Sequence, residues 1–464
     1  MKGCIPPCSC LSVRLFSQLR TLLMSIGFGK FRIKNELVVI FLVAFILRVL
    51  FVIASNLLLP NAPMGMDYEY GVIARSVLEG HGYSAPVIQG FHIGEKAVET
   101  GVYRPTANQL PFFTLLLAGM YGIFPEHMAQ WMMKLLQAGI SALTCVLIYL
   151  AARKVFSPWA GRISGWGSVV FPGFIIGAAR LTPEPFFTFF LIGGIYSLCL
   201  YREMPHWKLL VGAGLLFGIT MLNSNVLIPI LPVIGIWVFF WKGSITGKMK
   251  VLGAVLGLIF LCVSPWLIRN YLVFQKFPMF KSTMGLNFYL GNHPEGTGTF
   301  YKANGEPIET LIPDTFKENF DISEVRQDDL LMKEAKVFIQ ENPPRFVQLF
   351  VDKLWYFTWF PPRQMLSREV VLYKKVFGFP YALLLISCLI GIYYGIRDKW
   401  LDTLFLVGVY ISVAALYAIF IVGHQRYRMP VEPYLIILAG YGLAELFRKR
   451  LPDIKEEKES TERK

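Results

Sequence analysis

The chain has 464 residues, of which 55% are hydrophobic and only 16% are charged, and its formal net charge is +14. This is too much apolar surface for one soluble core of ordinary composition, so the composition excludes a soluble enzyme and predicts an integral membrane protein. In a membrane protein an excess of Lys and Arg is typical of cytoplasmic loops that meet anionic headgroups. The charge therefore does not indicate nucleic-acid binding.

Residues 1–35 are predicted to form a basic cytoplasmic tail. Cys4, Cys8 and Cys10 lie in it, and the other four cysteines fall inside apolar runs, so no disulfide framework is expected. The tail has no histidine or second cysteine pair at zinc spacing, which favours unpaired thiols over a metal site or an acyl anchor. Residues 11–30 mix Arg and Lys with Leu and Phe and lack a small-residue cleavage site. This pattern indicates an interfacial helix rather than a signal peptide.

Long apolar runs recur through the rest of the chain, and a spanning helix needs roughly 20 such residues. The predicted fold is an all-α polytopic bundle of about ten spans with extracytoplasmic juxtamembrane helices and a small extracytoplasmic segment. One further apolar segment, 111–124, is too short for a crossing and is interpreted as a re-entrant or interfacial helix. The candidate spans are 36–58, 128–151, 161–180, 183–201, 208–224, 226–241, 250–268, 376–396, 400–422 and 431–447.

The positive charges predict how these spans are oriented. If 111–124 does not cross, the basic clusters that follow alternate spans all share the side of the basic N-terminus, and both termini are cytoplasmic. The predicted regions are a cytoplasmic tail (1–35), an N-terminal transmembrane module (36–268) with a first outer loop (59–127), an extracytoplasmic segment with a juxtamembrane helix (269–375), C-terminal transmembrane helices (376–447) and a charged cytoplasmic tail (448–464).

Polar side chains collect at the predicted outer ends of separate spans. Ionisable groups at the membrane edge are unfavourable against lipid, so a set of them at one depth predicts a shared cavity. The set comprises Asp67, Tyr68 and Glu69 after the first span, Glu184 before the fourth, Asn223 and Asn225 between the fifth and sixth, Arg269 at the end of the seventh, and His424, Arg426 and Arg428 between the last two.

Each of these residues also has a simpler structural interpretation. Arg269 can snorkel to phosphate headgroups, and Asp67 can cap the helix that starts near Tyr68. Glu184 can stabilise the helix dipole at the start of a span. The asparagines can end helices, and an interfacial His424 can pack or hydrogen-bond without catalysing a reaction. The residue types alone leave both interpretations open.

Phrases spread along the chain carry a family resemblance. In order they are DYEYGVIARSVLEGHGYS, YRPTANQLPFFTLLLAGMYGIF, LTPEPFFTFFL, SPWLIRNYLVFQKFP with MGLNFYLGNHPEGTG, and RYRMPVEPYLIILAGYGL. Together they resemble the polytopic glycosyltransferases of the GT-C superfamily, in particular the relatives of protein O-mannosyltransferases and of the lipid A aminoarabinose transferase. The resemblance implies sugar transfer from a polyprenyl-phosphate donor to an acceptor at the outer face, with Asp67 central to the chemistry.

The chemistry of such a donor sets what the site needs. Its phosphate leaving group needs charge stabilisation more than protonation, so one base and a cationic cradle suffice, whereas glycoside hydrolysis needs two carboxylates. We expect Asp67, with Glu69 beside it, to take the proton of the attacking acceptor, giving inversion. Arginine suits the phosphate because its planar fork stays ionised and donates two hydrogen bonds. The expected phosphate ligands are Arg269, Arg426 and Arg428, and the expected substrate-binding residues are Tyr68, Glu184, Asn223, Asn225 and His424.

Other possibilities remain beside this hypothesis. Glu69 and Glu184 are alternatively ligands of a divalent cation, although no metal site is assigned. A polytopic transporter or lipid flippase is the main alternative function, but it predicts charges near the bilayer midplane and broken helices. A non-catalytic subunit that binds a partner through 269–375 is a second alternative. The expected partners are a polyprenyl-phosphate sugar donor, membrane lipid and an acceptor glycan, lipid or protein, at a multi-pass protein of the cell membrane with an extracytoplasmic site.

Overall fold

A computed structural model describes residues 33–58, 69–89, 98–276, 280–312, 323–362, 368–423 and 425–448 of the chain. Helices dominate these residues, and the protein is an all-α integral membrane protein, as predicted. The predicted interfacial helix at 11–30, the tail cysteines and the C-terminal tail beyond Arg448 lie outside the described residues.

The helices form because apolar segments in lipid must satisfy their backbone groups internally. They are α1 (Ile33–Leu58), α2 (Glu69–Leu78), α3 (Pro111–Ile123), α4 (Glu126–Val155), α5 (Pro158–Val169), α6 (Pro172–Ala179), α7 (Glu184–Glu203), α8 (Trp207–Asn223), α9 (Ile230–Phe239), α10 (Ile245–Phe274), α11 (Met284–Gly291), α12 (Glu324–Glu341), α13 (Pro343–Thr358), α14 (Arg368–Ile419) and α15 (Glu432–Leu446). Short 3₁₀ helices lie at Asn225–Leu227, Ile308–Leu311 and Gln425–Tyr427.

The first predicted outer loop contains a two-stranded antiparallel sheet of β1 (Ser84–Gln89) and β2 (Val98–Pro105). Ser84 pairs with Pro105, and the register shifts between Pro86 and Ile88. This hairpin leads directly into the loop that precedes α3.

The predicted spans coincide with helices at most positions. Among the described residues, five helical stretches are long and apolar enough to cross a membrane by length and composition, and they belong to α1, α4, α7, α10 and α14. In α14 the residue Lys399 has non-helical angles, φ −144° and ψ 50°. This kink falls where the eighth and ninth predicted spans meet.

The third predicted span differs from the expectation. Instead of one helix over 161–180, the chain forms α5 and α6, so the prediction of an uninterrupted span is wrong. Pro172 lacks a backbone N–H and disfavours helical angles in the residue before it. Accordingly Phe171 is extended, with φ −71° and ψ 122°. The buried guanidinium group of Arg48 on α1 donates to the carbonyl of Val169, at 3.3 Å, and so caps the end of α5.

Polar contacts between helix ends form two separate layers. In the first, which we call the Asp402 end, Arg202 at the end of α7 donates to both carboxylate oxygens of Asp402, at 2.6 and 3.1 Å. In the same layer Arg162 on α5 lies 3.1 Å from Glu36 on α1. Arg162 and Arg202 belong to the basic clusters that were predicted to lie on the side of the N-terminus.

The second layer, the Glu184 end, joins helix ends that were predicted to be outer. Arg426 contacts Glu184 at the start of α7, and Asn223 at the end of α8 donates to Pro183. Arg269, near the end of α10, contacts the loop before α3. Because α7 has one end in each layer, the two layers mark opposite faces of the bundle. The positive-inside pattern predicts that the Asp402 end is cytoplasmic.

Helix α3 starts and ends in the same layer. Its 13 residues span only about 20 Å at 1.5 Å per residue, less than the hydrocarbon thickness. The loop before it is bound by Arg269 through Thr106, at 2.8 Å. Soon after it, Lys134 on α4 donates to Asn56 near the end of α1, at 2.8 Å. This is the arrangement predicted for a helix that does not cross.

The predicted outer segment has a small apolar core of its own. Tyr289 and Leu290 on α11 pack with Leu331 and Ala335 on α12, and Ile421 of the bundle joins them. Asp328 on α12 accepts a hydrogen bond from the backbone N–H of Leu286, at 2.9 Å. The segment is therefore attached to the chain that leads from α14 to α15.

Candidate functional site

An ion pair between Glu184 and Arg426 lies at the centre of the Glu184 end. Glu184 begins α7 between two prolines, where missing N–H groups are tolerated and a carboxylate is favoured by the helix dipole. Arg426 lies in the 3₁₀ turn before α15, with its Nε 3.7 Å from Oε1 of Glu184. The two side chains are only 23% and 12% exposed. Water therefore screens this pair less than it screens a surface pair.

The loop before Glu184 is held by two amide side chains. Nε2 of Gln137 on α4 donates to the carbonyls of Arg180, at 2.7 Å, and of Thr182, at 3.2 Å. Nδ2 of Asn223 donates to the carbonyl of Pro183, at 2.8 Å. Because carbonyls accept and never donate, these bonds fix which amide atom is nitrogen. The amide oxygens of both side chains therefore point elsewhere.

Four buried acceptor atoms at the Glu184 end have no hydrogen-bond partner among the described residues. They are Oε1 of Gln137, Oε2 of Glu184, Oδ1 of Asn223 and Oδ1 of Asn225. Buried polar atoms are nearly always paired, and an unpaired one costs about 1–3 kcal/mol. A ligand rich in O–H or N–H donors complements this set chemically.

Arg428 lies two residues beyond Arg426 and is 4% exposed. Its Nη1 is 3.4 Å from the carbonyl of Thr358 and 3.3 Å from that of Trp359, at the end of α13. Its guanidinium carbon lies 4.5 Å from the ring centroid of Tyr381. Arg428 thus connects the outer segment to the start of α15, and its role as a phosphate ligand stays a prediction.

Arg269 is bound mainly to the backbone of the first outer loop. Its Nη1 donates to the carbonyl of Thr106, at 2.8 Å, and its Nη2 to that of Tyr83, at 2.7 Å. Its guanidinium carbon lies 5.2 Å from the ring centroid of Trp266. These bonds stabilise the loop before α3, and a direct contact between Arg269 and phosphate stays a prediction.

The same loop is held by Glu324, at the start of α12. Its carboxylate accepts from the hydroxyl of Thr106, at 2.7 Å, and from the backbone N–H of Ala107, at 2.6 Å. Tyr83 donates to the carbonyl of Gln109, at 2.9 Å, and burial raises the pKa of Tyr83. The TANQLP phrase is therefore a rigid connection between the two predicted outer regions.

Several predicted site residues lie outside the part of the chain that is described. These are Asp67, Tyr68 and His424, and of Glu69 only the backbone is described, as the first residue of α2. Within the described residues no group of three His, Cys, Asp or Glu side chains could hold a metal ion. Roles for these residues, and for a divalent cation, remain predictions.

The structure brings several predicted site residues together and adds Gln137, which was not predicted, to the candidate site. Glu184, Asn223 and Arg426 meet around residues 180–184, and Asn225 follows Asn223 by two positions. Arg269 and Arg428 contact other backbone segments of the outer regions. Gln137 was missed because a glutamine inside an apolar helix carries no spacing signal. The signal that could have found it is a polar residue at the depth of a span.

Comparisons with known proteins agree with this architecture. Residues 105–268, less than half of the chain, match the family model of dolichyl-phosphate-mannose-protein mannosyltransferases. No curated protein matches the chain in sequence.

Solved structures resemble the whole described bundle. ArnT from Cupriavidus metallidurans bound to undecaprenyl phosphate matches with a TM-score of 0.52 and 15% identity, over 91% of this chain and 61% of that chain. The oligosaccharyltransferase of Archaeoglobus fulgidus in the apo form matches with a TM-score of 0.53 and 15% identity, over 91% of this chain and 51% of that one. AglB from the same organism, in complex with an inhibitory peptide and a dolichol-phosphate, matches with a TM-score of 0.51 and 12% identity. The match covers 90% of this chain and 51% of that one.

These likenesses establish the fold. The chain spans about 60% of the length of ArnT and about half that of AglB. The predicted resemblance to the GT-C superfamily is confirmed at the level of the fold. The polytopic helical architecture is confirmed with it.

Proposed function

We propose that the chain is a membrane glycosyltransferase that moves a sugar from a polyprenyl-phosphate donor to an acceptor at the Glu184 end. The observation that carries the proposal is the ion pair of a largely buried guanidinium group, Arg426, with Glu184, in the same layer as the unpaired acceptor oxygens of Gln137 and Asn223. A guanidinium group donates charge-assisted hydrogen bonds to a phosphate. Unpaired acceptor oxygens can accept hydrogen bonds from the hydroxyl groups of a sugar. The polyprenyl phosphates bound by ArnT and AglB support the choice of donor.

Arg426, which is paired with Glu184, is proposed to be the main phosphate ligand. Its Nε lies 3.7 Å from Oε1 of Glu184, which is longer than a direct hydrogen bond. A donor phosphate beside Arg426 is proposed to accept charge-assisted hydrogen bonds from its guanidinium group. As the sugar leaves, charge grows on the phosphate, so this contact strengthens in the transition state. Arg269 and Arg428, which also contact backbone carbonyls of the outer regions, are proposed as further phosphate ligands.

The sugar is proposed to lie against Gln137, Glu184, Asn223 and Asn225. Their free oxygens accept hydrogen bonds from hydroxyl groups, and burial makes an unmade bond costly. A donor that lacks the matching hydroxyl is therefore expected to be rejected. Tyr68 and His424 stay as proposed substrate contacts.

Asp67, with Glu69, is proposed to supply the general base. Packing brings the start of α2 close to the ion pair: Tyr70 packs edge to face on Phe113, at 5.1 Å, and Phe113 lies 6.0 Å from Phe186, two residues after Glu184. Asp67 precedes Tyr70 by only three residues in the sequence. Its carboxylate takes the acceptor proton while the acceptor oxygen or nitrogen attacks the anomeric carbon opposite the leaving phosphate, which inverts that carbon.

The acceptor is proposed to be a glycan, a lipid or a protein, and the outer segment 269–375 is proposed to border its site. The enzyme is proposed to lie in the cell membrane, and the positive-inside pattern supports an extracytoplasmic Glu184 end. No step requires a metal ion, and a divalent cation at Glu69 and Glu184 is the alternative.

One observation favours a second candidate, a transporter or lipid flippase. The third span is broken at Pro172, and a buried arginine on α1, Arg48, lies at the break. Broken helices and intramembrane charges are typical of transporters. Here, however, the arginine is bonded to the carbonyls that the break exposes, which is a structural role.

Reconstitution distinguishes the two functions. Purified protein in liposomes receives decaprenyl-phosphate mannose with a lysate of membrane glycolipids as acceptor, and release of decaprenyl phosphate is measured by mass spectrometry. A transferase releases it and gives a product of inverted anomeric configuration. Asp67→Asn should lower the release by about 10²-fold or more while donor binding persists. Donor movement across the bilayer without release would support the transporter instead.

A further inference from the structure

Lys353 on α13 is a buried cation that the proposed chemistry does not use. Its side chain is 0% exposed. None of the salt bridges among the described residues involves Lys353. Burial lowers the pKa of Lys353 to about 7. Such a residue is unfavourable in a folded protein unless several acceptors surround its ammonium group.

Four oxygen atoms surround the ammonium group. They are the carbonyl oxygens of Gly291, at 3.2 Å, of Ile419, at 3.4 Å, and of Phe420, at 3.0 Å, and Oδ1 of Asn292, at 3.0 Å. Gly291 is the last residue of α11, and Ile419 is the last residue of α14. The last carbonyls of a helix lack intrahelical partners and carry the negative end of its dipole. One ammonium group therefore caps two helix ends.

Close packing around Lys353 explains why glycine and asparagine occur in the phrase LGNHPEGTG, residues 290–298. A Cβ atom at Gly291 would collide with the carbonyl of Phe420. Gly298 has φ +79°, and a Cβ atom there would lie 2.6 Å from Cγ of Lys353. The amide of Asn292 also donates to the carbonyl of Ile419, at 2.9 Å. Residues of this segment therefore pack around the side chain of Lys353 and the C-terminal end of α14.

The enclosed helix end leads directly to the ion pair at the Glu184 end. The backbone N–H of Val422 donates to the carbonyl of Gly298, at 2.9 Å. Phe300 lies 6.3 Å from the ring of Tyr427, the neighbour of Arg426. Only five residues, 421–425, separate Phe420 from Arg426.

We propose that Lys353 is a positioning residue that fixes where α14 ends and thereby holds Arg426 in register with Glu184. This proposal deepens the proposed function and depends on it for the role of Arg426. Lys353 does not touch the donor. It acts through the backbone of residues 419–422.

The test removes most of the Lys353 side chain by mutation and then replaces the missing atoms with an added small cation. Lys353→Ala deletes three carbons and the ammonium group, which is the composition of n-propylammonium, so that added ion can refill the site. Lys336→Ala, at an exposed lysine on α12, is the matched control. Two quantities are measured on full-length protein: the KM for decaprenyl-phosphate mannose, and hydrogen exchange of the peptide that covers 421–428.

We expect Lys353→Ala to raise the donor KM about tenfold, since small misplacements of a binding group have effects of this size or larger. Exchange over 421–428 should also become faster. n-Propylammonium should reverse both effects in this variant and change neither in the control. The proposal is wrong if KM and exchange match the control, or if KM rises while exchange over 421–428 is unaltered.

A second variant covers the case in which Lys353→Ala does not fold. Gly298→Ala keeps the lysine charge but directs a methyl group at its side chain. It should raise the donor KM without rescue by n-propylammonium, and an unchanged KM in the folded variant contradicts the proposal. If wild-type protein releases no decaprenyl phosphate, the proposed function fails, while the exchange measurement still tests the role of Lys353.

Discussion

Nε of Arg426 lies 3.7 Å from Oε1 of Glu184, and the two side chains come from helices that lie more than 200 residues apart in the chain. The pair is mostly buried, yet the distance is longer than a hydrogen bond. At this distance the carboxylate of Glu184 attracts the guanidinium group of Arg426 electrostatically. We propose that this cation binds the donor phosphate.

Replacing Arg426 tests its role as phosphate ligand. Arg426→Ala should lower kcat by about 10²–10³-fold and raise the donor KM, because contact with the departing phosphate strengthens in the transition state. Arg426→Lys should recover only part of the loss, since lysine lacks the planar fork. Initial rates over a range of donor concentrations measure both effects. Arg326→Ala, at an exposed arginine on α12, is the control, and equal kinetics in the two alanine variants would refute the assignment.

Asn223 and Asn225 form a matched pair for testing the sugar site. Asn223 donates to the carbonyl of Pro183, whereas Oδ1 of Asn225 has no partner among the described residues. Asn225→Ala should therefore raise the donor KM by about tenfold and leave the melting temperature almost unchanged. Asn223→Ala should raise the donor KM and also lower the free energy of unfolding by about 1–3 kcal/mol, because the buried carbonyl of Pro183 loses its donor. Thermal unfolding in detergent and donor kinetics separate the effects, and an Asn225 variant with wild-type KM would contradict the site.

Arg48 is expected to stabilise the broken third span. Besides Val169 it donates to Oγ of Ser141, at 2.7 Å, and to the carbonyl of Ser168, at 3.4 Å. Arg48→Leu should lower stability by about 3 kcal/mol or more, since several buried acceptors lose their donor at once. Leu50→Ala, at a side chain that is 58% exposed on the same helix, should have a small effect. Unfolding temperatures in detergent give the comparison, and equal values in the two variants would rule out the capping role.

Helix α14 meets α15 at a glycine that no larger residue can replace. A Cβ atom at Gly391 would fall on the carbonyl of Leu438, while one at Gly253 on α10 meets no atom within 4 Å. Gly391→Ala should destabilise the protein, because backbone rather than a flexible side chain must move. Gly253→Ala should be neutral or stabilising by up to about 1 kcal/mol, the helix propensity of alanine over glycine. Melting temperatures that fall equally in both variants would show that the close contact is not required.

The helices could be predicted from the sequence because lipid permits few alternatives. A long apolar run must satisfy its own backbone groups, so composition and length suffice to locate α1, α4, α7 and α10. The break at Pro172 does not follow from length and composition, because 161–180 is long and apolar enough for a single span. Arg48, its partner in the fold, is a charged residue inside an apolar run, but the sequence does not indicate which residues it contacts.

The site was only partly predictable, because its contacts join residues that are distant in the chain. Polar residues at span ends indicated that Glu184, Asn223 and Arg426 share one layer, and they do lie close together. Nothing local indicated that Glu324 binds Thr106 across 218 residues, or that Lys353 binds Phe420 across 67. Such contacts depend on how the outer segment folds over the bundle, which hydrophobic periodicity does not report.

The most direct test of the proposed function is where the donor phosphate binds. A cryo-electron microscopy structure of the protein with decaprenyl phosphate should show the phosphate within hydrogen-bonding distance of the Arg426 guanidinium group, with the lipid chain leaving toward the bilayer. Phosphate density at the Asp402 end, or phosphate remote from both Arg426 and Glu184, would contradict the account.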